Sequence, residues 1–145
     1  MKKSRVIGIT LIILLIAMVY IFYDKMQFTT YGEVISDMLR EDESITEISI
    51  IDYKTDRYFN SDNSEIVEKI TIELLNMEMK RDNNSPLRYD YVIFLHTNKG
   101  NKYDIAVGET SVEFGYDGRF KIINENTLYE NIEKADIEWE PARSQ

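Results

Sequence analysis

The hydrophobic pattern of this chain changes from one continuous run to short periodic blocks near residue 24. Before that point, Val6 to Tyr23 reads VIGITLIILLIAMVYIFY, 18 residues without a charge. As a helix rising ~1.5 Å per residue, the run would span about 27 Å, close to the ~30 Å hydrocarbon core of a bilayer. A helix satisfies its own backbone hydrogen bonds, as a segment in lipid must. Tyr20 and Tyr23 fall at the far end, where amphipathic rings favour the interface. The pattern predicts a transmembrane helix over 6–23.

Beyond it, apolar residues recur at helical or strand spacing in short blocks. Three blocks open with a helix-start signature: Thr30-Tyr31-Gly32-Glu33, Asp62-Asn63-Ser64-Glu65 and Thr127-Leu128-Tyr129-Glu130. Each sets a side-chain oxygen three residues before a Glu, the capping-box arrangement or its Asp-headed relative. Stripes follow at helical spacing: Tyr31, Val34, Ile35, Met38 and Leu39; then Ile66, Ile70, Leu74 and Met77; then Leu128, Ile132 and Ala135. The middle helix, with Glu65 and Lys69 as an i,i+4 pair, is expected to reach about Lys80 and stop before the Asp82-Asn83-Asn84-Ser85-Pro86 loop.

Strands are predicted over Ile45–Tyr53 and Tyr89–Thr97, the second alternating with a period of two. Asn98-Lys99-Gly100 and Tyr116-Asp117-Gly118 suit three-residue hairpin loops with Gly in the left-handed position. The first loop sets Leu95 opposite Tyr103, Ile93 opposite Ile105 and Tyr91 opposite Val107. The second sets Phe114 opposite Phe120 and Val112 opposite Ile122, and a Gly108–Ser111 loop sets Val107 opposite Val112 and Ile105 opposite Phe114. All apolar residues then share one face of a four-strand meander, and a slip of one residue would scatter them. Burying each is worth roughly 1.5–3 kcal/mol, so the coherent register should win. The opposite face would carry Asp90, His96, Lys102, Asp104, Glu113, Arg119 and Lys121 and meet solvent.

The fold class is therefore α+β. A transmembrane helix is followed by an antiparallel β-sheet, a four-strand meander plus one earlier strand, with helices packed on one face. Residues 1–5 form a basic start, 6–23 the span, 24–135 one domain, and 136–145 an acidic tail. The Tyr31–Leu39 helix could lie on the sheet or against the bilayer.

Charge adds an orientation. Lys2, Lys3 and Arg5 precede the span, whereas Asp24 and Lys25 follow it, so the positive-inside bias leaves the N-terminus cytoplasmic and residues 24–145 extracytoplasmic. A cleavable signal peptide is the competing possibility, although small residues for a cleavage site are hard to place after Ala17. All 26 acidic residues lie from Asp24 onward and three of the 17 basic ones precede it. The outer segment thus carries 14 basic against 26 acidic residues, net −12. That balance disfavours nucleic acid and anionic lipid as partners. With no Cys, a disulfide scaffold, a cysteine-ligated zinc site, a thiol nucleophile and a lipid-modified cysteine are excluded. An exported domain without cysteine also fits a bacterium better than a eukaryotic secretory product.

Chemistry is thinly signalled. His96 is the single imidazole, so no Ser-His-Asp or multi-histidine set can form within one chain, and it has no evident nucleophile partner. A calcium loop begun at Asn60 offers Asn60, Asp62 and Ser64, but Glu65 stands where Gly is needed and Thr71 where the final Glu belongs. The six glycines stand singly at 8, 32, 100, 108, 115 and 118, so no phosphate-binding loop is present. Trp139 could anchor a partner or cap the edge of the core. No catalytic, cofactor-binding or metal residue is assigned, and neither a cofactor nor a small-molecule ligand is expected.

The layout of basic start, uncleaved anchor and one acidic domain resembles the small membrane-anchored extracytoplasmic proteins of Bacillus-type Gram-positive bacteria. That resemblance implies a single-pass location in the cell membrane and an envelope protein as partner. Gly8-Ile9-Thr10-Leu11-Ile12-Ile13-Leu14-Leu15 is similar to the processing segment of type IV pilin-like proteins, although Ile9 replaces the usual Phe and Ile13 the usual Glu. The function expected is a non-enzymatic, membrane-tethered interaction module. The alternatives are a pilin-like assembly subunit and a carboxylate-based hydrolase of cell-wall material.

Overall fold

The computed structural model describes residues 2–84, 88–135 and 137–141, with side chains from residue 7 onward. The side chains of Lys2, Lys3 and Arg5, the Ser85-Pro86 part of the expected loop, and Asp136 and residues 142–145 of the expected tail lie outside the described residues.

Helix α1 (Lys2–Lys25) runs through the apolar segment and leads by Met26 and Gln27 into strand β1 (Phe28–Thr30). Then follow α2 (Tyr31–Met38), β2 (Ile45–Asp52), β3 (Arg57–Ser61), α3 (Ser64–Thr71) and β4 (Glu78–Arg81). The meander is β5 (Tyr91–Thr97), β6 (Lys102–Val107), β7 (Ser111–Phe114) and β8 (Gly118–Ile122), and the described chain closes with α4 (Thr127–Lys134) and β9 (Glu140–Pro141). The strands form one sheet of order β1-β4-β8-β7-β6-β5-β2-β3-β9, antiparallel at each described pairing.

The α+β class is observed, but the sheet has nine strands rather than five. Four were hidden for identifiable reasons. Strands β1 and β9 are too short to show a period. Strand β3 lies in the polar stretch between Asp52 and Asp62, where only Phe59 is buried. Strand β4 lies inside the segment expected to be helical. Helix α3 stops at Thr71, whose hydroxyl turns back onto the Val67 carbonyl at 2.7 Å. The chain then makes a turn whose freed carbonyls are used by α2. The Tyr31 N–H donates to Met77 O (2.9 Å) and the Gly32 N–H to Leu75 O (3.1 Å), two of the donors a helix start leaves unsatisfied. Tertiary bonding thus overrides helix propensity. Burial survives the change, since Ile70, Leu74, Met77 and Met79 are all in the core.

The meander registers mostly hold. Leu95 faces Tyr103, Ile93 faces Ile105, Tyr91 faces Val107, Val107 faces Val112 and Ile105 faces Phe114. Gly100 takes the left-handed conformation at φ +78°, as its hairpin requires. The last hairpin differs by two residues: Phe114 faces Gly118 and Val112 faces Phe120, with Gly115, Tyr116 and Asp117 as the loop. Gly118 remains left-handed at φ +95°. Asn83 Oδ1 accepts from the Arg119 N–H (3.1 Å) and lies 3.0 Å from where a Gly118 Cβ would stand, so β4's following loop closes onto that glycine. An even shift keeps every side chain on its face, which is why the core prediction survived it.

That face holds Ile48, Ile50, Ile93, Leu95, Ile105, Val107, Val112, Phe114, Phe120 and Met79, each at most 1% exposed. Helices α2, α3 and α4 add Tyr31, Val34, Ile35, Val67, Ile70, Leu128 and Ile132 to the same core. The Tyr31–Leu39 segment therefore packs on the sheet, with the Tyr31 ring 5.8 Å from that of Phe114. Helix caps partly move. Thr30 and Glu33 form the full capping box expected. The oxygen at the second start is Asn63, not Asp62, and at the third it is Asn126, not Thr127.

Candidate functional site

Two polar assemblies and one open surface stand out. The first is where β2 ends. Lys54, in the β2–β3 turn, sends its ammonium to Glu133 of α4 (2.8 Å), to the Tyr129 hydroxyl and toward Asp90 (3.6 Å). The Tyr91 hydroxyl donates to the same Glu133 oxygen (3.0 Å), and that of Tyr129 donates to Asp90 (2.7 Å). The ammonium also lies 4.9 Å from the centre of the Tyr129 ring. Glu133 and Tyr129 hold the lysine well above its usual range, and the lysine with Tyr91 holds Glu133 below the carboxylate range. Desolvation, helped by Glu133, raises Tyr91, and desolvation also raises Tyr129. Every shift deepens the charge state already present near neutrality. The set is a lock of α4 onto the sheet, not an acid–base pair.

The same trend covers other carboxylates. Glu33 is lowered by Thr29 and the Thr30 backbone. Burial works to raise Asp52, but Thr55 and Arg57 outweigh it. A glycosidase-type general acid must be held protonated, which requires the opposite shift.

The second assembly gives His96 a neighbour invisible in the sequence. Ser49 Oγ lies 3.1 Å from His96 Nε2, across the β2–β5 pairing. Its polarity can be followed from the far end. The Glu47 carboxylate only accepts, so the Asn60 amide donates to it (2.6 Å) and turns Oδ1 to Ser49. Ser49 donates to that oxygen (2.8 Å), and Tyr58 donates to Ser49 (3.3 Å). With the serine proton committed to Asn60, His96 Nε2 is a donor to Ser49. Activation of a serine nucleophile needs the reverse. Ser49 also sits mid-strand, between β5 and β3, where ladder pairing occupies the amides an oxyanion hole would need.

The remaining sites of the sequence scatter. Asn60 is used by Ser49 and Glu47, Asn63 replaces Asp62 as the cap, and among the described residues no three acidic or histidine side chains are grouped to hold a metal. Trp139 lies edge-on to Phe59 at 6.1 Å with the Arg57 guanidinium 5.0 Å from its ring centre, and it packs against the core beside β9.

The open surface is the sheet face away from the three helices. His96, Lys102, Asp104, Glu113, Arg119 and Lys121 are all half-buried or exposed, as expected, whereas Asp90, expected with them, turns its carboxylate to Tyr129 of α4 because it lies before β5 begins. Between them runs an apolar stripe across three strands, Ile51 opposite Val92 and Val92 opposite Ala106, with Phe94 under the Lys102 ammonium at 3.9 Å. No described helix covers this stripe. Comparison with known protein families, curated proteins and solved structures gives no match to the chain.

Proposed function

We propose that the chain is a membrane-tethered, extracytoplasmic interaction module of the bacterial cell envelope, held by α1 and binding another envelope protein. One observation carries this. The span Ile7–Lys25 is long and apolar enough to cross a membrane, and its Ile, Leu and Val side chains are 57–66% exposed, with none of the span buried among the described residues. Ten such side chains exposed to water would be costly, at roughly 25 cal/mol per Å2 of apolar surface, and lipid removes that cost. The N-terminal basic residues support a cytoplasmic start. A tethered lobe meets other membrane-held proteins at raised effective concentration. The stripe Ile51, Val92, Ala106 offers an apolar surface rimmed by charges, as an interface core requires.

Crosslinking in native membranes followed by purification of the full chain tests it. A defined membrane or envelope protein is expected in the crosslinked product, and its yield should fall when Val92 is changed to Glu. Recovery solely as an uncrosslinked monomer would sink the proposal.

A further inference from the structure

Helix α1 joins the sheet without slack. The Met26 N–H still donates to the Phe22 carbonyl (3.0 Å), so helical rise continues past Asp24 and Lys25, and β1 begins two residues later at Phe28. Lys80 of β4 pairs with Asp24 (2.6 Å) and stands 4.8 Å from the centre of the Phe28 ring. The Arg81 N–H donates to the Gln27 carbonyl (2.9 Å). The helix end and the β1–β4 edge are thus fastened together, with no stalk between span and lobe.

That joint fixes a depth. Helical rise carries Met26 only ~4.5 Å past Tyr23, the last residue of the uncharged run. The headgroup layer is about 5–7 Å thick on each side of a bilayer, so a span ending at Tyr23 leaves Met26 inside it. Phe28 follows at most ~7 Å further along the chain. Both are large apolar side chains facing outward, 75% and 46% exposed, and both gain by leaving water. The charges around them balance, with Asp24 on Lys80, Asp117 on Arg81, and Asp82 lining the same cleft as Lys121. We propose that the β1 edge of the sheet is seated in the headgroup layer of the bilayer, with Met26 and Phe28 among lipid. The lobe is then carried at a set tilt instead of swinging from its tether, and the contact is apolar and indifferent to lipid charge. The inference rests on α1 spanning the membrane.

The chain has no cysteine, so single substitutions can each carry one nitroxide label. Met26→Cys, Phe28→Cys, Leu14→Cys within the span, and Tyr53→Cys, in the turn after β2 and six strands along the sheet from β1, are placed in phosphatidylcholine nanodiscs. Collision of each label with oxygen and with a water-soluble nickel chelate reports its depth. Labels at 26 and 28 are expected to show nickel access several-fold below that at 53, yet above that at 14, and to keep it when phosphatidylglycerol is added. The label at 26 lies outside the strands, so it reads depth even if the change at 28 loosens β1. Nickel access at 26 equal to that at 53 would overturn the inference, as would protection that appears only with phosphatidylglycerol. Protection of 53 equal to that of 28 would lay the sheet flat on the bilayer and overturn the edge contact too. If 14 is as accessible as 53, the anchor and this inference fall together; if 14 is protected and 26 is not, this inference falls alone.

Discussion

Asp52 is 1% exposed yet charged, because four hydrogen bonds surround it: from the Lys54 and Thr55 amides (2.9 and 3.2 Å), the Thr55 hydroxyl (2.5 Å) and Arg57 (3.0 Å). It closes the β2–β3 turn, where Asp56 takes the left-handed conformation at φ +53°. Asp52→Ala would strand those donors and is expected to cost about 2 kcal/mol, measured by denaturant unfolding of the full chain in detergent. Glu43 gives a pH signature. Led by the Thr97 hydroxyl, and joined by the Arg40 amide, Asn101 and Tyr103, its donors outweigh desolvation and lower its carboxyl from 4.5 to about 2. A depressed folded value stabilises above the unfolded one, so this contribution is complete above about pH 4.5 and lost as pH falls toward 2. Amide exchange at residues 40–44 should accelerate over that window, and Glu43→Gln should abolish the dependence while loosening the loop at neutral pH. Neither carboxylate stood out among 26 acids in the sequence. Their partners at 97, 101 and 103, or across a turn, are assigned by pairing alone.

Helices and strands were legible where one side chain pattern faced one core. The capping box at Thr30 is an example: Thr30 Oγ accepts from the Glu33 N–H at 3.2 Å, and Glu33 accepts from the Thr30 N–H at 2.9 Å. Thr30→Ala should destabilise α2 by about 1 kcal/mol in thermal or denaturant unfolding, and Thr30→Ser should restore most of it. The limit of pattern reading appears at α3. Ile66, Ile70, Leu74 and Met77 satisfy a helical stripe, and three of the four are buried, yet the chain leaves the helix after Thr71. A stripe reports which side chains are buried, not which backbone buries them. The same distinction explains the last hairpin, where period-two alternation chose the face and a contact from Asn83 chose the partner.

At the scale of the whole molecule, an exposed apolar helix and a one-sided sheet define what the chain can do. Helix α1 should keep the full chain in the membrane pellet after alkaline carbonate extraction. In right-side-out vesicles, protease added outside should cut within residues 26–145 and leave a protected fragment carrying the N-terminus. Release of the intact chain by carbonate would contradict the anchor, and protection of the lobe would reverse its orientation. The candidate site was less legible than the fold. His96 was visible as a lone imidazole, but Ser49 reached it only because β2 pairs with β5 across 47 positions. Lys54 met Glu133 only because α4 folds back over the sheet.

Local composition by itself determined the apolar span, the acidic lobe, the inward face of the meander and the capping box at Thr30, because each depends on side chains close in sequence or alike in period. Tertiary structure alone decided the nine-strand order, the early end of α3, the lock around Lys54 and the Asp24–Lys80 pair at the end of α1. Those depend on donors, acceptors and charges separated by dozens of residues, whose encounter is set by how the sheet closes rather than by any neighbouring residue.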